Sequence, residues 1–187
     1  MLNRLELVSF PLITRRLSIS PLTDADIESF VRYRQDPKVA RFQSWDTSYS
    51  IQDAQSLVES QKGLNLPKPG DWMQLAIHLT ESMQLLGDLA LHRLDENELA
   101  FEIGFTIDPS HQRLGYAKEA AARLLQFLFE DVRAEFISAT SDERNLASKK
   151  LLRALGFTEI PERAWTEEFK GETVRVNYFE SHRGSKA

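Results

Sequence analysis

The chain has no cysteine in its 187 residues. That excludes a disulfide framework, a thiolate-bound metal and a thiol nucleophile. Histidine is scarce as well: His78, His92, His111 and His182 are the four present, and they share no ligand spacing, so no metal is expected. Long apolar runs are missing, since no more than three of Ala, Val, Ile, Leu, Met, Phe, Trp or Tyr follow one another. A membrane helix needs about 20, so no membrane partner is expected. Glycine (8) and proline (7) are too few for a collagen-like or low-complexity chain. Positive charge is short too: 23 Lys and Arg stand against 28 Asp and Glu, a net −5 with no basic block. Direct binding to nucleic acid is therefore not expected. The opening MLNRLELVSFPLI lacks the apolar core and small-residue cleavage site of a secretory signal. A cytoplasmic location is the expectation.

What remains is an ordinary globular balance, 42% hydrophobic and 27% charged. No repeat or long linker divides the chain, and residues 1–187 read as one domain with a core over about 12–180. Arg15 to Ser20 alternates as a half-buried strand. Ile27, Phe30, Val31 and Arg34 follow at helical spacing up to Asp36-Pro37, and a second helix runs from Ser50, with Asp53 as a capping-box partner, to Lys62. Gly63 to Asp71 is a loop. Met73–Leu79, Leu85–Leu94 and Leu99–Ile107 read as antiparallel strands. The period then changes: Gly115 to Glu130 is an amphipathic helix, Glu135–Thr140 a strand, and Asn145–Leu155 a helix ended by Gly156. Phe157 opens a strand, and Trp165–Phe169 with Thr173–Phe179 reads as a hairpin. The expected fold is α/β (α+β): a mixed, mostly antiparallel central sheet of about seven strands flanked by helices.

Chemistry concentrates in Phe101 to Ala120. A strand ends at Ile107, Asp108-Pro109 breaks it, and Gln112-Arg113-Leu114-Gly115-Tyr116-Ala117 enters a helix. A helix start carries unpaired N–H groups and a partial positive charge. Gly115 lets a ligand approach the backbone, and Arg113 and Lys118 add charge, so the junction suits a phosphate or diphosphate. The alternative is a glycine that only eases a turn. The Gly-Lys-Ser/Thr of a P-loop and the three spaced glycines of a Rossmann turn are both absent.

Gln112 to Ala117 resembles the Q/R-x-x-G-x-G/A coenzyme A signature of the GNAT N-acetyltransferase superfamily. Glu102-Ile103-Gly104-Phe105, Lys118-Glu119-Ala120, and Asn145-Leu146-Ala147-Ser148 followed by Leu155-Gly156-Phe157 resemble its ribosomal-protein N-terminal acetyltransferase (RimJ/RimL) branch. Weaker likenesses are Arg16-Leu17, Leu22-Thr23, and Val39 to Phe42 with Trp45.

The resemblance implies an acyl-CoA N-acyltransferase fold in which the fourth and fifth family strands, here Leu99–Ile107 and Glu135–Thr140, splay apart. It implies acetyl-CoA as co-substrate and a primary amine as acceptor, attacked directly because no Cys can carry the acetyl group. The acceptor is a peptide N-terminus or a small amine, and the enzyme a monomer or homodimer. Arg113, Leu114, Gly115, Tyr116, Ala117 and Lys118, with Gln112, would hold the diphosphate. Phe105 and Ile107 would offer backbone groups to the pantetheine arm, and a bulge near Gly104 would polarise the thioester.

Glu102 is the candidate general base or water-ordering group; its alternatives are a solvated strand residue or an ion pair with Arg93. Asn145 is a helix N-cap, a pantetheine partner, or both. Ser148 is implied beside the coenzyme sulfur, steadying the departing thiolate, unless it is only an exposed helix serine. Many relatives carry a general-acid Tyr where this chain has Leu152, so Ser148, Tyr178 or solvent must serve. For the acceptor, Trp45, Glu102 and Trp165 are the candidate contacts, with Gln43, Asp46, Tyr49, Glu167 and Glu168 nearby in sequence. A non-catalytic acyl-CoA-binding domain and a nucleic-acid-associated module are the rival readings.

Overall fold

A computed structural model describes residues 9–94 and 99–184. Its strands are β1 (Leu12–Ile13), β2 (Leu17–Pro21), β3 (Trp72–Leu79), β4 (Leu85–Arg93), β5 (Ala100–Ile107), β6 (Phe136–Asp142), β7 (Thr158–Glu159), β8 (Trp165–Phe169) and β9 (Glu172–His182). Its helices are α1 (Ile27–Arg34), α2 (Pro37–Ala40), α3 (Ile51–Ser60), α4 (Tyr116–Gln126) and α5 (Leu146–Ala154). All the strands join one sheet in the order β1-β2-β3-β4-β5-β6-β9-β7, with β8 on β9. Every neighbouring pair is antiparallel except β5–β6. Among the described residues the sheet has nine strands rather than about seven, and two of them, β1 and β7, are only two residues long.

Strand alternation splits the core in two. On β3, Met73, Leu75 and Ile77 face the cluster under α4 and α5, and Ala76 faces the smaller cluster made by α1 and α3. The sheet is thus covered on both faces. No helix among the described residues is long and apolar enough to cross a membrane.

Local chemistry explains the helix ends. Ser50 and Asp53 close the expected capping box reciprocally, each side chain taking the other's backbone N–H. Asn145 caps α5 by accepting from the Ser148 N–H at 3.1 Å. The helix expected to reach Glu130 ends as an α-helix at Gln126 and continues as a π-helical turn, Phe127–Val132, closed by Arg133 at φ 70°.

Two buried polar pairs fix α1. Arg34 lies 3.2 Å from Asp88 of β4, and the Tyr33 hydroxyl donates to the same carboxylate at 2.5 Å. Burial pushes the Asp88 carboxyl up; Arg34 and Tyr33 pull against it. At the front of α1, His78 of β3 meets Asp26 at 2.6 Å. Burial raises the Asp26 pKa, but the hydrogen bonds from His78 and Thr23 outweigh it and hold the carboxyl below its ordinary value. A carboxyl depressed in the folded state adds stability above its unfolded pKa of about 3.9 and loses it as pH falls through the folded value. Melting curves between pH 2 and 7 are expected to show a steeper acid loss in the wild type than in Asp26→Asn. Asp26→Asn should be less stable at neutral pH.

Candidate active site

The sheet comes apart at one seam. Strands β5 and β6 pair only from Ala100 with Phe136 to Glu102 with Ser138; beyond that β5 runs on to Ile107 and β6 to Asp142 without pairing to each other. This is the expected splay. The expected bulge at Gly104 is not there: the β4–β5 ladder is regular from Gly87 opposite Ile107 to Arg93 opposite Phe101. The register shift lies between β3 and β4, at Ile77/His78. Beside it Gly87 approaches β5 so closely that a Cβ would fall 2.1 Å from the Thr106 carbonyl. The irregularity therefore belongs to the neighbouring strand, where close approach demands glycine.

Two cavities open on the seam. The larger, about 610 Å³, runs from the start of α4 to the start of α5. Among its lining residues are Phe105, Ile107, Gln112, Arg113, Gly115, Tyr116, Ala117, Lys118, Asn145 and Ser148, all expected there from the sequence. Leu114 is the exception: it lines neither cavity, is 54% exposed, and gives its carbonyl to Arg16 Nη1 at 3.1 Å. Lys38 and Lys150 also line this cleft and were not anticipated. The smaller cavity, about 170 Å³, lies against Gly104, Thr140, Asp142, Glu167 and Phe169. Phe42, Gln43, Phe105, Asn145 and Ser148 line both, so the two spaces meet there.

The helix start is built to receive an anion. The first backbone bond of α4 runs from the Glu119 N–H to the Gly115 carbonyl at 3.1 Å. The N–H groups of Tyr116, Ala117 and Lys118 are left without intrahelical partners. Gly115 sits at φ 82°, ψ 2°, and a Cβ there would come within 3.4 Å of Arg16 Nη2. Glu119 would repel an anion at this end, but it is neutralised: Arg16 Nε donates to its Oε2 at 2.7 Å and Thr14 Oγ1 to its Oε1 at 2.6 Å. Burial raises the Glu119 pKa, yet these bonds hold it below the ordinary carboxylate value. Arg16 also stacks on Tyr116, 4.4 Å from its ring centroid. Sequence patterning missed this link because Arg16 and Glu119 lie far apart along the chain.

Glu102 faces the sheet surface with Gly104, as alternation required, but it lines neither cavity. Its Oε1 accepts from the Thr140 hydroxyl at 3.1 Å, and its Oε2 lies 3.7 Å from His92 Nδ1. His92, not Arg93, is its cross-strand neighbour, because Arg93 sits opposite Phe101 on the other face. Ser148 lines both cavities, and Leu152 is fully buried beneath the smaller one. Tyr178 lines neither; burial, with Glu180 close by, pushes its hydroxyl up, although the neighbouring Ser138 pulls the other way.

The two tryptophans expected at the acceptor lie elsewhere. Trp45 stacks on the buried Arg34 guanidinium at 3.6 Å and donates to the Arg34 carbonyl, so it completes the α1–α3 cluster. Trp165 is exposed on β8, its indole donating to Glu167. Phe42, Phe105 and Phe169 are the aromatic rings at the smaller cavity instead. Among the described residues no group of His, Asp or Glu could hold a metal.

Residues 16–158 match the model of the acetyltransferase (GNAT) domain. The chain belongs to the GNAT acetyltransferases. The uncharacterised N-acetyltransferase YoaA of Bacillus subtilis is 29% identical over 149 residues, 79% of this chain and 83% of that one. A GNAT-family acetyltransferase structure from Bacillus anthracis superposes with a TM-score of 0.80 at 21% identity, covering 93% of this chain and 99% of its own. The spermidine N-acetyltransferase of Vibrio cholerae, solved with CoA and spermine, gives 0.78 at 17% identity, covering 92% and 98%. At these identities the two structures show the shared fold. This GNAT enzyme is an acetyl-CoA-dependent N-acetyltransferase. Its larger cleft offers the co-substrate's diphosphate bare amides at a left-handed glycine that opens α4, and Arg113, Lys118 and Lys150 are among its lining residues.

Proposed function

We propose that the enzyme acetylates the α-amine of a peptide N-terminus, as the likeness of its motifs to the ribosomal-protein N-terminal branch suggests. The observation that carries this reading is the pair of cavities meeting at Ser148 and Phe105 across the open seam. The co-substrate lies in the larger one, its diphosphate on the amides of residues 115–118, and supplies an acetyl thioester at the junction. The acceptor enters the smaller one and attacks directly.

The smaller cavity limits the acceptor. At about 170 Å³ it admits one slim chain end. A polyamine carries several positive charges, while the cavity offers Glu167 and an Asp142 already neutralised by Arg144 at 2.7 Å. Hydrogen bonds from Arg144 hold the Asp142 carboxyl below its ordinary value. An α-amine near pKa 7.7–8 is partly neutral without help, whereas a lysine amine near 10.4 requires roughly 4 kcal/mol more. Glu102 removes the amine proton through Thr140 or a water, and Ser148 hydrogen-bonds the leaving sulfur. Thiolates leave readily, so Leu152 in place of a general acid does not stop the reaction.

The test is a CoA-release assay across peptides of varied N-terminal residue, free amino acids, spermidine and an aminoglycoside, with CoA titrated by calorimetry. Peptides should give the highest kcat/KM; a lead for spermidine would replace this reading. Glu102→Gln should lower kcat by about 10²–10⁴-fold and keep CoA affinity. A wild type that binds CoA but acetylates nothing would be a binding domain instead.

A further inference from the structure

His92 is held in a way that strand packing alone does not call for. Its Nε2 lies 3.2 Å from the Gly70 carbonyl, an acceptor only, so Nε2 must carry the hydrogen. Its ring stacks on Trp72 at 4.5 Å and 11°. That leaves Nδ1 as the free nitrogen. It is buried, makes no hydrogen bond, and points at Glu102 Oε2, 3.7 Å away. The other Glu102 oxygen takes the Thr140 hydroxyl, and Thr140 lines the smaller cavity. A continuous polar line therefore runs from the cavity wall through Thr140 Oγ1 and Glu102 to His92 Nδ1.

We propose that Thr140, Glu102 and His92 form a proton exit for the acceptor amine, with His92 as a positioning and relay residue behind Glu102. This rests on the amine acetylation proposed above. A carboxylate alone holds a proton poorly at neutral pH, whereas an imidazole gains and loses one there. The amine nitrogen forms a bond to the acetyl carbon, and the carbon–sulfur bond breaks with its electron pair leaving on sulfur. The N–H proton surplus to the new amide passes to Thr140 Oγ1 as that hydroxyl hands its own to Glu102 Oε1. Glu102, now a carboxylic acid, turns that one proton toward His92 Nδ1, which takes it and becomes an imidazolium with Nε2–H still on the Gly70 carbonyl. The thiolate takes a proton from solvent, and the imidazolium returns its Nδ1 proton along the same line once product has left and water fills the cavity. The 3.7 Å gap is the sort that closes when substrate binds.

The charged groups around the line are few. Beta-strand β5 contributes Glu102, β3 the neutral Trp72 ring, and β6 the neutral Ser138 and Thr140. From β9, Tyr178 and Glu180 share this face, and Glu180 is ion-paired with Arg163 and His182.

His92→Gln is the discriminating variant, because the glutamine amide can still donate to Gly70 while Nδ1 is lost. With the best amine from the panel, kcat should fall about tenfold and the acidic limb of its pH profile should flatten, with the KM for acetyl-CoA unchanged. Thr140→Val should cost about as much, Thr140→Ser should restore most of it, and the His92→Gln/Thr140→Val pair should lose about tenfold rather than a hundredfold, as members of one line do. A readout independent of activity is the long-range ¹H–¹⁵N spectrum of histidine-labelled protein, with His92 identified by its loss in His92→Gln. It should show the Nε2–H tautomer, and the Nδ1 resonance should move in Glu102→Gln. An unmoved Nδ1, or His92→Gln with wild-type rate and pH profile, overturns the relay. A wild type inactive on every amine overturns the acetylation reading instead, and the spectrum still decides whether His92 and Glu102 are in contact.

Discussion

Gly115→Val should weaken CoA binding by at least about 100-fold and leave the protein folded. The backbone at this position is left-handed, φ 82° and ψ 2°, where a β-branched residue costs about 1–2 kcal/mol. The added side chain would also press toward Arg16 Nη2, and that guanidinium cannot retreat cheaply, since it already holds Glu119 and the Leu114 carbonyl. The start of α4 must therefore turn, and the N–H groups of residues 116–118 lose their common aim. Calorimetry with CoA reads the affinity. Melting of the ligand-free variant reads the strain, about 3–6 °C for a chain of this size. Gly115→Asn, better tolerated in the left-handed region, should recover part of the binding. Wild-type affinity in the valine variant would mean that the amide row does not hold the diphosphate.

Asp88→Ala should be among the most destabilising single exchanges, at about 3–5 kcal/mol. It strands the Arg34 guanidinium, 4% exposed and lodged among Phe30, Trp45 and Tyr49, with no counter-charge, and it orphans the Tyr33 hydroxyl. Arg34 Nε already lacks a partner, so no spare hydrogen bond is ready to compensate. Thermal unfolding should fall by roughly 10–15 °C. The paired exchange Arg34→Met/Asp88→Leu removes both charges and should restore most of the loss. If the double variant is as unstable as the single, the penalty comes from lost packing and not from an uncompensated charge. Activity should fall as well, because Asp88 stands beside Thr106, which receives Gln43 from the cavity wall at 3.4 Å.

Features set by a few neighbouring residues were readable from the chain. The capping box at Ser50, the glycine before Tyr116 and the Asn145 cap each depend on side chains within a turn of one another. Ten of the eleven residues expected around the co-substrate line one cleft for the same reason: eight sit in two short motifs, each at a helix start, Phe105 and Ile107 sit on the strand that leads to the first, and the seam brings the two starts together. Features set by register were not readable. No local pattern distinguishes a bulge at Gly104 from one at Ile77/His78, since that depends on how far neighbouring strands slide. The same holds for Trp45, whose aromatic ring suits an amine pocket or a buried guanidinium equally well until the position of Arg34 is known. The Thr140–Glu102–His92 line draws on three strands, and only the paired sheet makes them neighbours.

Lys170, at the tip of the β8–β9 hairpin, donates to the carbonyls of Ala40 and Trp45, beside the Phe42 and Gln43 wall. The proposed acceptor pocket is thus a room with walls from segments 130 residues apart, buttoned by the Lys170 ammonium group. Residues up to Ala154 supply the lining of the larger cleft, whereas this room waits for residues up to Val176 to be made, so during synthesis it follows the cleft.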